Sequence, residues 1–191
     1  MAQNVIATRA GGPETVVIGG HFDSVAAGPG ANDNASGTAV VLELARVMAS
    51  RPTPFTLKFA AFDAEEIGLL GSAHMVSQMS PEELKAIRAM INLDMVGVGD
   101  SQQLGGDQSL TRIGQRIAAE LDQPAGLIGQ VGGGSDHASF ARAGVPVLFI
   151  YRANDPNYHS PMDRAEYVEP ANLAYAGQIA LGVIDALADG Q

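Results

Sequence analysis

The sequence predicts an α/β fold with three layers, α-β-α, in which helices cover both faces of a mixed but mostly parallel central sheet. Short apolar runs rich in β-branched residues alternate along the chain with segments whose apolar residues recur at helical spacing. No internal repeat or low-complexity linker interrupts this alternation. The chain has 191 residues, 46% of them hydrophobic and 17% charged, which indicates one globular domain over residues 1–191.

Four apolar segments of strand length are predicted to form the sheet. The first has the continuous apolar, β-branched character of a buried strand, and the others are longer versions of the same pattern. They are VVIGG at 16–20, PFTLKFAAFD at 54–63, AMINLDMVG at 89–97 and VPVLFIY at 145–151.

Helices are predicted between these strands and after the last of them. In SGTAVVLELARVMA, residues 36–49, apolar side chains recur at positions 40, 41, 44, 47 and 48, which is helical spacing. Gly144 is expected to end the fifth helix, and Pro170 lies at or near the first turn of the last one. The predicted helices span residues 36–49, 66–78, 81–86, 109–122, 135–144 and 170–188.

The composition excludes several classes of function. Net charge is −10, and the eleven lysines and arginines are scattered, so no basic face for nucleic acid is expected. No apolar run approaches the ~18 residues of a membrane helix, and the first residues do not resemble a signal peptide. The absence of cysteine excludes disulfides and thiolate metal sites.

Polar side chains capable of chemistry follow the predicted strands. In open α/β sheets, ligands bind outside the carboxyl ends of the strands. Each residue alone has an ordinary explanation: a loop histidine that is hydrogen-bonded, glutamates that complement a helix dipole, or an aspartate that caps a helix. Their shared placement at strand ends predicts a metal site instead. The residues are His21, Asp23, Asp33, Glu65, Glu66, Asp94 and His159.

Imidazole nitrogens and carboxylate oxygens suit Zn²⁺, with Mn²⁺ or Co²⁺ as substitutes. Two divalent ions, three carboxylates and one hydroxide form a neutral cluster. Two histidines and three carboxylates divide evenly between two ions if one carboxylate bridges them. Asp23 lies two residues after His21, so in an extended segment its side chain can accept the second imidazole N–H.

Six stretches of the chain together resemble the co-catalytic di-zinc aminopeptidases of the bacterial leucyl aminopeptidase type. They occur in that family's order and extend over most of the chain. They are GGHFDSV at 19–25, GANDNASG at 30–37, AFDAEEIGLLGS at 61–72, INLDM at 91–95, GGSDHASF at 133–140 and YHSPMD at 158–163. The resemblance implies a phosphorylase/hydrolase-like fold of the zinc exopeptidase kind.

The resemblance also implies metal ligands. It gives His21 and Asp94 to one zinc, His159 and Glu66 to the other, and Asp33 to both as the bridge. It further implies a non-proline cis peptide bond after Asp33. The sequence alone does not decide which of the two adjacent glutamates binds metal.

Catalytic roles follow from the same resemblance. Glu65 resembles the general base, and Tyr158 resembles the tyrosine with which some members stabilise the oxyanion. Other members use a tyrosine in the loop before the SDH stretch, where this chain has VGGG at 131–134. Ser135 and Asp136 are expected to support the ligands.

Other residues near these motifs have ordinary interpretations. Support of the ligands is favoured for His137, and a surface or packing position for His74. Met95 and Phe140 lie near the implied site and could line a pocket, but core packing is favoured for both.

The implied activity is removal of N-terminal residues from peptides with a free N-terminus. The alternatives are a glutaminyl cyclase-like acyltransferase with one zinc, and an inactive peptidase-like binding module. Such cyclases favour tryptophans around the pocket, and this chain has none. Family members usually carry a further N-terminal segment, which this chain is expected to lack, and they suggest a secreted or periplasmic location. The sequence does not predict the oligomeric state.

Overall fold

The computed structural model describes residues 3–128 and 134–191 of the chain. Within them, seven strands form one sheet in the order β1-β3-β2-β4-β7-β5-β6. The strands are β1 (Val5–Arg9), β2 (Thr15–His21), β3 (Thr56–Phe62), β4 (Ile87–Leu93), β5 (Ser101–Gly106), β6 (Gly126–Leu127) and β7 (Val147–Ala153).

The sheet is mixed, with a parallel centre, as the sequence predicts. Strands β3, β2, β4 and β7 pair in parallel, while β1 and β5 run antiparallel to their neighbours β3 and β7. The four predicted strands are these four central ones. The sequence analysis missed β1, β5 and β6, which lie toward the edges; β1 is largely exposed along its length.

The helices are close to their predicted positions. The second helix begins at Leu70 instead of residue 66, because Gly68 and Leu69 have positive φ angles of 114° and 59° that form a turn. A kinked helical turn over Ala31–Ser36 precedes the first helix. The helices are α1 (Gly37–Met48), α2 (Leu70–Ser77), α3 (Pro81–Lys85), α4 (Gln108–Glu120), α5 (His137–Arg142) and α6 (Pro170–Ala188).

Helices cover both faces of the sheet, and the alternation of side chains along β2 shows how. Val16 and Ile18 belong to one buried cluster, with residues of α1, α4 and α6. Val17, between them, belongs to a second cluster with Met75 of α2 and Phe140 of α5. Successive side chains of a strand point to opposite faces, so one strand contributes to both cores.

Helix α6 corrects one expectation. It is long and apolar enough, by length and composition, to cross a membrane, whereas the sequence analysis found no run approaching that length. In the fold, 44% of its most apolar 18-residue window is buried. Its buried side chains, including Ile179, Val183 and Ile184, join the cluster beneath α1 and α4. Its apolar character is therefore explained by packing against the sheet.

The parallel centre positions the functional residues. Strand β2 ends at His21, β3 ends just before Asp63, and β4 ends just before Asp94. Because the carboxyl ends of parallel strands meet at one edge of a sheet, the segments that follow them converge there.

Candidate metal centre

Two imidazoles and three carboxylates meet at this edge of the sheet. His21 Nε2 lies 3.2 Å from Asp33 Oδ1 and 3.4 Å from Asp94 Oδ1. His159 Nε2 lies 3.0 Å from Asp33 Oδ2 and 3.1 Å from Glu66 Oε2. The two oxygens of Asp33 therefore face different histidines, and each histidine has one further carboxylate of its own.

Two observations show that this arrangement of donor atoms is compatible with bound zinc. Donor atoms about 2.0–2.1 Å from a tetrahedral ion are separated by about 3.3 Å, close to all four distances above. Moreover, His21 Nε2, Asp94 Oδ1 and Glu66 Oε1 are buried and have no hydrogen-bond partner among the described residues. Buried polar atoms without partners are costly, and a cation would satisfy them.

The turn that carries Asp33 is anchored by the two asparagines beside it. Asn34 donates its side-chain N–H to Leu93 O at 2.9 Å, and its Oδ1 accepts from the backbone N–H groups of Gly37 and Met95. The peptide bond between Asp33 and Asn34 is cis, as the resemblance implies. Asp33 is not a helix cap, because Gly30 is the N-cap of this turn and Ser36 that of α1. The asparagines thus fix the turn against the end of β4, and Asp33 is left to face the histidines.

Close packing at Gly37 brings this turn near Asp94. A Cβ atom at Gly37 would lie 2.2 Å from Leu93 O and 2.5 Å from Asn34 Oδ1. Only glycine therefore permits the start of α1 to approach the end of β4 this closely.

Asp23 connects His21 to the loop after β3. Its carboxylate accepts the backbone N–H groups of Glu65 and Glu66 at 3.0 and 3.2 Å. His21 Nδ1 is 3.4 Å from Asp23 Oδ1 but 3.2 Å from the Asp23 backbone oxygen, which is its nearer acceptor. The predicted contact is therefore shared with the main chain. Burial opposes protonation of His21, but Asp23, Asp33 and Asp94 outweigh it and raise its pKa.

The adjacent glutamates have different surroundings. Glu66 faces His159, whereas Glu65 lies near His21 and Asp94, with one donor atom of each residue within 4.8 Å of the others. Burial raises the pKa of Glu65 to about 8. A carboxylate with a raised pKa holds a proton more readily near neutral pH than one in water.

A cavity of about 500 Å³ opens over the centre. Its lining includes the acidic residues Asp33, Glu65, Glu66, Asp94 and Asp155. It also includes the apolar and aromatic residues Met95, Ile128, Phe149 and Tyr151. Tyr158 also lines it; its side chain is 51% exposed, stacks on His159 with ring centroids 3.8 Å apart, and burial raises its pKa to about 12. Phe140 does not line the cavity, because it is fully buried against Phe62.

A hydrogen-bond chain supports Asp94. Ser135 Oγ donates to Asp94 Oδ2 at 2.6 Å and accepts from Asn92 Nδ2 at 2.7 Å. His137 lies 3.4 Å from the same amide and stacks on Phe149. Burial lowers its pKa to about 4 and raises that of Asp136 to about 7.

Two further features singled out in the sequence are the VGGG segment and His74, neither of which supplies a proposed metal ligand. Within VGGG, residues 131–133 are outside the described residues, while Gly134 lines the cavity. His74 is exposed on α2, away from the centre, as its surface interpretation expects.

Comparison with known proteins identifies the family. The model of Peptidase family M28 matches residues 4–184, which is nearly the whole chain. The chain belongs to peptidase family M28. Aminopeptidase YwaD of Bacillus subtilis is 39% identical over 185 residues, an alignment that covers 90% of this chain and 41% of YwaD. A solved structure of the zinc aminopeptidase BSAP from Bacillus subtilis superposes with a TM-score of 0.90 at 33% identity, over 96% of this chain and 49% of that one.

A third relative is the probable lipoprotein aminopeptidase LpqL of Mycobacterium tuberculosis. It is 32% identical over 217 residues, covering 92% of this chain and 43% of LpqL. This M28 chain therefore spans less than half the length of each of the three relatives.

The residues that hold the segments carrying Asp33 and His159 in place were not identified from the sequence. Asp163 accepts two backbone N–H groups of the Asp33 turn, and Asp155 accepts the side-chain amide of Asn32. Both lie in the turn-rich loop after β7, where aspartates are common for local reasons. Nothing in their spacing indicates partners more than 120 positions away.

Proposed function

We propose that the chain is a metal-dependent aminopeptidase that removes N-terminal residues from peptides. It would hold two Zn²⁺ ions, one with His21 and Asp94 and one with His159 and Glu66, with Asp33 shared; Mn²⁺ or Co²⁺ would substitute. The observation that carries the proposal is the division of Asp33, whose two oxygens lie 3.2 and 3.0 Å from different histidines. Membership of a peptidase family supports the same reaction class.

Zinc ions in such a centre supply Lewis acidity that polarises the scissile carbonyl. Glu65 acts as the general base in this proposal: it takes a proton from the attacking water and delivers it to the leaving amine. Burial raises the pKa of Glu65 to about 8 in the metal-free chain, and the positive charge of bound zinc would lower it toward the operating pH, where a general base is most effective. Tyr158 donates its O–H to the carbonyl oxygen as negative charge develops there.

The acidic lining of the cavity accounts for action at the chain end. A free α-amine carries N–H donors, and those oxygens of Asp33, Glu65, Glu66 and Asp94 that are not bound to zinc would accept them in the cavity. The apolar and aromatic lining residues Met95, Ile128, Phe149 and Tyr151 would contact the first side chain of the substrate. A peptide with a free N-terminus is therefore the proposed substrate.

The two alternatives are less well supported. A single-zinc acyltransferase of the glutaminyl cyclase kind does not need a carboxylate divided between two histidines. An inactive binding module does not need an intact set of five metal-binding residues. Here all five are present, and each histidine lies within 3.4 Å of two of the carboxylates.

Metal analysis combined with a substrate screen tests the proposal. We expect two zinc ions per chain by elemental analysis, and hydrolysis of aminoacyl-nitroanilides that chelation abolishes and zinc restores. One ion with cyclisation of N-terminal glutamine would establish the cyclase alternative. Absence of bound metal and of hydrolysis would establish the binding module. Hydrolysis that survives exhaustive chelation would contradict the metal-dependent reaction.

A location outside the cytoplasm is proposed from the relatives, of which one is named a probable lipoprotein. Fractionation of producing cells with detection of the native protein tests this. Recovery in the cytoplasmic fraction alone would contradict it.

A further inference from the structure

The turn that carries Asp33 and the loop that carries His159 are joined by a carboxylate that is not a proposed metal ligand. Asp163 is only 3% exposed. Its Oδ1 accepts the backbone N–H of Asn32 at 2.6 Å, and its Oδ2 accepts the N–H of Asp33 at 3.1 Å. Its backbone oxygen accepts the N–H of Ala31 at 3.2 Å. One residue therefore holds three successive residues of the turn.

Asp155 makes a second connection between the same segments. Its Oδ2 accepts the side-chain amide of Asn32 at 2.8 Å, and its Oδ1 accepts the N–H of Asn157. Asn32 Oδ1 in turn accepts from Gly97 and Val98, after β4. We call Asp155, Asp163 and their hydrogen bonds to Asn32 and Asp33 the loop clamp.

The two histidines need this support to different degrees. His21 is the last residue of β2 and is 1% exposed, so the sheet fixes it. The side chain of His159 is 37% exposed and belongs to a loop, where its φ angle is 51°. The distance between Asp33 and His159 therefore depends on how the turn and the loop are held together. Hydrogen bonds from N–H groups to a carboxylate are stronger than those to a neutral acceptor.

We propose that Asp163 and Asp155 are positioning residues that set the zinc affinity of the half-site formed by Asp33, Glu66 and His159. This inference rests on the proposed zinc binding. Without the Asp163 carboxylate, two buried N–H groups lose their acceptor, and the turn no longer fixes Asp33 opposite His159. The half-site of His21 and Asp94 shares Asp33 but keeps the support of β2 and β4 for its other two ligands, so it should be affected less.

Zinc titration of the metal-free full chain against a chromophoric chelator tests the clamp. In Asp163→Asn, the amide nitrogen cannot accept a backbone N–H, so one contact is lost with little change of shape. We expect the affinity for the zinc held by Glu66 and His159 to fall about 10- to 100-fold, and that for the zinc held by His21 and Asp94, which also shares Asp33, to fall by a clearly smaller factor. The visible spectrum of the Co²⁺-loaded protein should change as well, because it reports ligand geometry independently of turnover.

Asp107→Asn is the matched control. Asp107 Oδ2 accepts the backbone N–H of Val147 at 2.9 Å, at the start of β7 and thus at the opposite edge of the sheet. This control should lower the unfolding temperature without changing either zinc affinity or the Co²⁺ spectrum. A purely structural role for Asp163 would give the same result.

Asp155→Ala covers the case in which Asp163→Asn does not fold, since Asp155 is half-buried. It should weaken the same zinc by a smaller factor. Unchanged zinc affinities in the folded variant, or equal losses at both sites, would overturn the inference. Failure of the wild-type chain to bind zinc would instead contradict the proposed function.

Discussion

Two neighbouring glutamates differ in role because their surroundings differ. Glu66 lies 3.1 Å from His159, while the half-buried Glu65 lies close to the buried His21 and Asp94. Asp23 holds both residues through their backbone N–H groups, which directs the two side chains from one short loop. Sequence alone cannot separate them, since adjacent residues of one type give no positional signal.

Replacement of Glu65 with alanine separates catalysis from metal binding. We expect Glu65→Ala to retain both zinc ions and to lose about 10²- to 10⁴-fold in kcat, the usual contribution of a general base. Elemental analysis and steady-state kinetics on one preparation check this. A variant that turns over at the wild-type rate would remove Glu65 from the mechanism, and loss of zinc would make it a ligand.

Tyr158→Phe tests the donor to the carbonyl oxygen. The hydroxyl lies on a ring that lines the cavity and stacks on His159, so its removal leaves the stacking and the zinc ligands intact. We expect kcat to fall on the order of 10²-fold, as for loss of one oxyanion donor, with zinc content unchanged. An unchanged kcat would limit Tyr158 to packing against His159.

The residues that sequence reasoning identified and those it missed differ in the range of their interactions. His21 is the last residue of β2 and Asp94 directly follows β4, so their position where the strands end follows from the strand pattern. Asp163 acts on backbone groups of Asn32 and Asp33, about 130 positions away in sequence. Such a partnership depends on how two loops fold over each other, and composition carries no record of it.

At the level of elements, the strands that could be predicted from the sequence are those buried on both faces. The central strands β2, β3, β4 and β7 have apolar side chains on both faces, and all four were predicted. Strand β1 (VIATR) begins with three apolar residues but is largely exposed, and β5 (SQQLGG) has one large apolar residue. Pairing with an already formed neighbour, not an intrinsic pattern, makes these segments strands.

Helix α6 offers a test of packing at this scale. Ile179 is fully buried in the larger core cluster. We expect Ile179→Ala to reduce the free energy of unfolding by about 2–5 kcal/mol, measured by urea denaturation, while zinc affinity is unchanged.

Gln178→Ala is its control, because Gln178 is exposed on the same helix. It should change the free energy of unfolding by no more than about 0.5 kcal/mol. Equal effects of the two substitutions would contradict the burial of Ile179 against the sheet. A single cooperative transition in all variants would support one domain over residues 1–191.

For the whole molecule, the stability of the metal-free chain depends on pH because groups in and beside the metal centre bind protons in the folded state. Burial raises the pKa of Glu65 from 4.5 to about 8 and that of Asp136 from 3.8 to about 7. The pKa of His21 rises above 6.5, since three carboxylates outweigh its burial. In each case the folded, metal-free chain binds protons that the unfolded chain has released. Such groups make stability fall as pH rises.

The pH range in which stability falls is limited by the groups whose pKa values are lowered by folding. Burial lowers the pKa of His137 from 6.5 to about 4, which favours folding as pH rises, but only up to about 6.5. The pKa of Asp23 falls below 3.8, so its contribution is complete at lower pH still. Between about pH 6.5 and 8, the groups whose pKa values are raised therefore act without these two opponents.

We therefore expect the metal-free protein to unfold at a lower temperature at pH 8 than at pH 6.5. Zinc should reverse the trend, because its ligands bind only when deprotonated, and the stabilisation from binding grows as protons are released. Thermal unfolding in chelator and in excess zinc, at both pH values and constant ionic strength, measures the two slopes. A metal-free protein that is equally stable or more stable at pH 8 would show that these buried groups do not hold their protons. Folding would then bring these groups together without their binding extra protons. The stabilisation by zinc would consequently depend little on pH.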